Sequence, residues 1–380
     1  MRTRPLVTGL TALALATSVA VPAHAAAPAS PGQGLGPAPR PAPALLEECT
    51  GTAPVVCRFD VDPGRYDVTV RLGGPEAAHT AVWAEARRLM VPATATEAGG
   101  TARATFTVDV RDPEGEPTGG AGPGEDGLTL VFDGPAPAVD GIGLAPAPAG
   151  RPDLYLLGDS TVTDQGTHPY TGWGQTLPAH YRHGLAVANY ADSGESSGSV
   201  LAHPALLPAV EQRIGPGDTV LYQVGHNDKQ TSARDFRANL TEAVTRIRAT
   251  GAEPVLVTPV VRRWFTGDRL NEVGLIVNGL GVDLPAEMRA VAAAEGTALI
   301  DLTEHSRELV EGLGPEAAKD LYLTRQLRDD THLSIAGAAV MSDLVAAELR
   351  AQGLVPDRVE ARPEIGRAED AGTGEREIRP

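Results

Sequence analysis

The sequence predicts two folded parts: an all-β sandwich over residues 47–146, then a flavodoxin-like α/β domain over residues 151–355 with a five-stranded parallel sheet. Three observations carry this. The first part alternates apolar and polar residues, the second alternates apolar runs with helical periodicity, and an Ala/Pro/Gly hinge at residues 145–152 separates them.

In the first part, Tyr66, Val68, Val70 and Leu72 interleave with Asp67, Thr69 and Arg71, and Ala104, Phe106, Val108 and Val110 interleave with Thr105, Thr107 and Asp109. Successive strand side chains point to opposite faces, so a period of two marks half-buried strands. Turn signals at Pro63-Gly64, Gly99-Gly100 and Gly119–Gly124 punctuate these runs, with no convincing helix between them. Short strands and turns at this spacing read as a sandwich. Trp83, the one tryptophan of this part, lies in an alternating run and is expected in its core.

Beyond the hinge, apolar runs occur at Leu154–Leu157, Leu185–Tyr190, Thr219–Val224, Pro254–Val257 and Ala298–Leu302. Helical periodicity fills the intervals, as in Phe236, Leu240, Val244 and Ile247, and a last helix is expected over about Ser334–Ala351. Strands alternating with helices give a parallel sheet covered on both faces, with its site at the carboxyl ends of the strands. This part holds all five strands and is expected to fold alone.

Arg2 and Arg4 precede an apolar run from Leu6 to Val21, and Ala23-His24-Ala25 offers a small-x-small cleavage site. Residues 1–25 are therefore expected to be an export signal, and the mature protein to be extracellular. Residues 26–46 read as a disordered Ala/Pro/Gly linker and residues 356–380 as a disordered tail. The net charge of −17 argues against nucleic acid and anionic membrane surfaces as partners. Cys49 and Cys57 are the only cysteines; in an exported chain they suit a short-loop disulfide, and they make no zinc site. A monomer is expected.

The chemistry is carried by position. Polar residues follow each apolar run: Gly158-Asp159-Ser160-Thr161, then Ser193-Gly194-Glu195-Ser196-Ser197, Gly225-His226-Asn227-Asp228, Thr258-Pro259-Val260-Val261-Arg262-Arg263-Trp264 and Asp329-Asp330-Thr331-His332-Leu333. Ser160 suits a nucleophile at a strand end, its rival reading being the cap of a following helix whose N–H groups would face an oxyanion. Asp329, three residues before His332, is placed to hold the imidazole; Asp330 is a competitor, read as a solvated turn residue. Asp159 and Asp228 are read as fixing loops through backbone N–H groups, and His226 as packing.

These blocks resemble the SGNH (GDSL-type) hydrolases. Together with Gly172-Trp173-Gly174-Gln175, they are most similar to the rhamnogalacturonan acetylesterase family, across about residues 153–355. The resemblance implies a serine esterase in which Ser160, His332 and Asp329 are catalytic, with Gly194 and Asn227 donating to the oxyanion. It implies no cofactor and no metal. Trp173 is a candidate for stacking on sugar or for plugging the domain wall. Arg262 and Arg263 are candidates for a uronate carboxylate, with Arg262 the stronger. The expected partner is an acetylated pectic polysaccharide, with acetylated xylan or a short-chain lipid ester as alternatives. A glycan-binding protein with an inactive hydrolase domain is the rival of another class. The sandwich is expected to be a carbohydrate-binding module or a spacer.

Overall fold

Cys49 and Cys57 stand directly opposite each other on two antiparallel strands and are joined by a disulfide, which closes the edge of the first sheet. The structure, a computed structural model, describes residues 42–111, 115–119 and 126–355. The expected export signal, residues 26–41 of the expected linker and the tail lie outside these residues. The linker ends earlier than its composition suggests: residues 42–48 form a 3-10 helix, and Leu45 is buried among the strands.

The first part comprises β1 (Cys49–Thr50), β2 (Val55–Phe59), β3 (Gly64–Gly73), β4 (Ala78–Ala84), β5 (Arg88–Thr96), β6 (Thr101–Val110), β7 (Leu128–Ala136) and β8 (Val139–Pro146). They build two antiparallel sheets, in the orders β1-β2-β7-β4-β5 and β6-β3-β8. Val68, Val70 and Leu72 of β3, Phe106 of β6 and Ile142 of β8 face Cys57, Val82, Leu130 and Phe132 of the other sheet in one core. Trp83 is not in that core. The pleat turns Val82 and Ala84 inward and leaves Trp83 half-buried on the opposite face, just after two irregularities of the β4–β5 register.

The second part continues with β9 (Asp153–Gly158), α1 (Trp173–Thr176), β10 (Ala186–Asn189), α2 (Ser197–Ala202), α3 (Leu207–Val210), β11 (Thr219–Gln223), α4 (Ala233–Ala249) and β12 (Glu253–Val257). A small hairpin, β13 (Phe265–Thr266) and β14 (Arg269–Leu270), precedes α5 (Leu284–Glu295), β15 (Ala298–Ile300), α6 (Leu302–Ala317), α7 (Thr324–Leu327) and α8 (Ile335–Ala351). The parallel sheet has the order β10-β9-β11-β12-β15, the flavodoxin-like arrangement. Every residue of β9 is buried because both faces are covered. Leu154 and Leu156 pack towards Met341, Val345 and Leu349 of α8, whereas Tyr155 and Leu157 pack towards Phe236, Leu240 and Ile247 of α4.

The two parts share a polar interior. Arg88 of β5, 1% exposed, pairs with Asp164, which is fully buried in the loop after β9, at 2.5 Å. Arg111 stacks its guanidinium over Tyr190 at 4.7 Å, and Thr107 of β6 accepts a hydrogen bond from the Gly184 N–H at 2.8 Å. The α/β part therefore depends on the sandwich for neutralisation of a buried carboxylate, which speaks against the expectation that it folds alone.

Candidate active site

The loop after β9 does not open a helix. Thr161 N–H donates to Asp159 Oδ1 at 2.9 Å, and Val162 and Thr163 N–H donate to the Asp159 carbonyl, closing a single turn that leaves Ser160 at its apex. The helix cap considered for Ser160 is thus absent, and no helix start lies behind it; α1 begins at Trp173. Asp159 reaches His226 Nδ1 with its other oxygen at 3.0 Å, and His226 Nε2 lies 2.9 Å from the Val260 carbonyl. Both ring nitrogens face acceptors, so His226 is a buried hydrogen-bonded strut. Burial alone would raise the Asp159 carboxyl, but the His226 charge and the Thr161 donors outweigh it and hold it below the usual range.

The loop before α8 brings His332 over this apex. Ser160 Oγ lies 2.9 Å from His332 Nε2, and His332 Nδ1 lies 2.7 Å from Asp329 Oδ2. Burial pushes the Asp329 carboxyl up, but hydrogen bonds from the His332 ring and from the His332 and Thr331 N–H groups win and hold it at about 2. An ionised Asp329 only accepts, so Nδ1 carries a proton, and in the neutral ring Nε2 is left to accept from Ser160. Tyr170 meets the imidazole edge-on, with ring centroids 5.3 Å apart.

Asp330 is not a free turn residue. It accepts from Arg263 at 2.7 Å and from Thr324 Oγ1 at 2.6 Å, while Arg263 Nη1 donates to the Pro315 carbonyl. Arg263 is thereby committed to the loop and is not available to a uronate. Arg262 lies nearer the centre. Its Nη2 donates to the His226 carbonyl at 2.9 Å, and it lines a cavity of about 170 Å³ with Lys229, His226, Ile276 and Asn278.

Gly194 sits at φ +87° with open space around it, so backbone conformation rather than room calls for glycine there. Asn227 Nδ2 donates to the Glu195 carbonyl at 3.0 Å, which ties these two blocks together and leaves the second amide hydrogen for another acceptor. Asp228 holds Ser197 through its N–H and Oγ, as expected of a loop-fixing carboxylate.

Trp173 does not face substrate. It is fully buried, and its Nε1 donates to Gln223 Oε1 at 2.9 Å. Gln223 Nε2 donates to Thr161 Oγ1, which donates to Asp159. A Cβ at Gly172 or Gly174 would fall within 2.4 Å of the Val162–Thr163 backbone, so the glycine–tryptophan–glycine block is a tight seat for the Ser160 loop.

Sequence reasoning missed Gln165, whose Nε2 donates to the Ser160 carbonyl at 2.8 Å, and Tyr170. Neither belongs to a recognisable block. Backbone strain is a further marker. Among the described residues, the non-glycine positions with left-handed φ are Glu85, Arg87, Ile276 and Arg328. Ile276 lines the Arg262 cavity, Arg328 precedes Asp329, and Arg87 bonds the loop that carries Ser160. Such strain collects at functional sites.

A serine held by a histidine that is held by an aspartate, at the carboxyl ends of a doubly wound parallel sheet, defines a serine hydrolase of the SGNH type. The chain belongs to the GDSL-like lipase/acylhydrolase family, whose pattern matches residues 156–340, and it is a hydrolase. It is similar to rhamnogalacturonan acetylesterase RhgT of Bacillus subtilis, at 35% identity over 53% of this chain and 90% of that one. It is also similar to the uncharacterized esterase YxiM of the same organism, at 29% identity over 78% of this chain and 74% of that one. The crystal structure of YxiM covers 79% of this chain and 81% of its own, with a TM-score of 0.48.

Proposed function

We propose that this protein is a secreted acetylesterase that removes acetyl groups from an acetylated polysaccharide of the rhamnogalacturonan type. The observation that carries the reading is the unbroken hydrogen-bonded run from Ser160 through His332 to Asp329. In this scheme His332 Nε2 takes the proton as Ser160 Oγ bonds to the acetyl carbon. The N–H groups of Ser160 and Gly194 and the Asn227 amide receive the developing oxyanion. Collapse expels the sugar oxygen, which takes the proton from His332, and water then releases acetate from the acetyl-serine. No step calls on a cofactor or metal.

The pectic substrate is supported by the name of the RhgT relative and by two cations, Arg262 and Lys229, beside the site. A net charge of −17 repels a polyuronate over distance, so local cations are needed to receive a carboxylate. Export rests on the residue pattern of positions 1–25, and the protein acts as a monomer without nucleic acid or membrane partners. Acetate release from acetylated rhamnogalacturonan, acetylated xylan and a short-chain ester tests the substrate. The highest kcat/KM is expected on the pectic polymer. Faster turnover of xylan would remove the pectic assignment, and no acetate from any of them would remove the acetyl assignment.

A further inference from the structure

We infer that the turn between β4 and β5 is a positioning element of the hydrolase site, with Arg87 steadying the Ser160 loop and the Tyr170 ring; this rests on the serine-hydrolase reading above. The turn belongs to the sandwich, far from the catalytic blocks in sequence, and it holds Glu85 and Arg87 at φ +53° and +59°. Residues with a Cβ seldom adopt that conformation, and a glycine-bearing turn would be free of the strain. The distortion sends the Arg87 side chain across to the other part. Its Nη1 donates to the Gln165 carbonyl at 2.8 Å and to the Tyr170 carbonyl at 3.1 Å, joining both ends of the 165–170 segment.

Two short routes lead from that guanidinium to the reacting groups. Gln165 Nε2 donates to the Ser160 carbonyl, so the segment's first end is fastened to the nucleophile. The Tyr170 ring at the other end stands edge-on to His332 and limits its swing. Neighbours in the turn reinforce the grip: Gln175 Nε2 donates to the Ala86 carbonyl at 2.7 Å, and Arg88 is paired with Asp164. Transfer of the Ser160 proton depends on holding Oγ and Nε2 at hydrogen-bond distance, so slackening this segment should lower the chemical rate rather than substrate affinity.

Arg87→Gly in the full chain removes the guanidinium while suiting the left-handed backbone, and Arg87→Lys restores a donor. Each is measured by the rate of Ser160 labelling with a fluorophosphonate and by kcat and KM on a small acetate ester, expressed per titrated site. The expected result for Arg87→Gly is a fall of about 10-fold in labelling rate and kcat, with KM within about 2-fold and partial recovery in Arg87→Lys. Labelling rate and kcat within about 2-fold of wild type in both variants would overturn the inference, as would a change confined to KM. A loss confined to the number of titratable sites would also overturn it, because that marks a merely structural role. A wild-type protein that is labelled but releases no acetate would sink the acetyl reading and leave this test standing. A wild-type protein that is not labelled would sink both.

Discussion

Arg263 and Asp330 form an ion pair at 2.7 Å, and this pair sorts the two adjacent aspartates of the His332 loop. Asp330 is turned away to Arg263, which leaves Asp329 to the imidazole. Asp329→Asn is expected to lower kcat by as much as about 10⁴-fold, because the amide cannot favour the productive tautomer. Asp330→Asn should chiefly lower the melting temperature. Steady-state kinetics on both variants checks this, and the reverse ranking would mean that the wrong carboxylate has been assigned.

Asn227→Ala should reduce kcat by about 10²–10³-fold if its amide donates to the oxyanion. The same variant frees the Glu195 carbonyl, so its melting curve belongs beside the kinetics. A rise in KM with kcat intact would place Asn227 in substrate contact instead.

Trp173→Phe keeps an aromatic plug but leaves Gln223 Oε1 without its donor in a buried site. A loss of about 1–3 kcal/mol in urea unfolding is expected. KM on polymer should not move; a large increase there would return Trp173 to the sugar-binding role.

A chain beginning at Arg151 retains Asp164 but not Arg88. Removing one partner of a buried pair costs about 3–5 kcal/mol. That truncation should therefore expose apolar surface or aggregate, and Arg88→Met in the full chain should show a loss of the same order. A truncated protein with wild-type unfolding and wild-type rate on a small ester would show the sandwich to be a spacer.

Stability should fall as pH rises from about 4 to 7. Burial pushes the Glu116 carboxyl up to about 7, helped by Asp192 across the interface, and burial pushes Asp153 up to about 7 against the opposing charge of its ion-pair partner Arg65. Both lie above their unfolded values, so the folded state holds more protons in this window. Their stabilisation is fully present below about pH 4, is lost progressively as pH rises towards 7, and the decline levels off above that. Melting temperatures across this range should show the decline. Glu116→Gln should flatten it, and an unchanged slope in that variant would remove Glu116 as a source.

The residues that read well from sequence were those whose signal is local. The period of two in β3 and β6 and the continuous apolar runs of β9 and β11 follow from which faces are buried; Ser160 closely follows β9, and the three-residue spacing of Asp329 and His332 sits just ahead of α8. What was not legible depends on partners distant in sequence. Trp83 and Val82 are adjacent apolar residues, and only the sheet's packing decides which one faces the core. Trp173 could not be separated from a sugar platform without Gln223 beneath it. Arg87 and Arg88 look like ordinary turn arginines, because Asp164 and Gln165 lie more than 75 residues further along the chain.

That separation sets an order of events during synthesis. The sandwich emerges from the ribosome first, with Arg88 near Glu85 and Asp109 of its own part but without its ion-pair partner. Its partner follows only 76 residues later, on the loop that also carries Ser160. The ion pair that completes the burial of Arg88 is thus made only by the loop that also carries Ser160, so full burial of this guanidinium and placement of that loop go together.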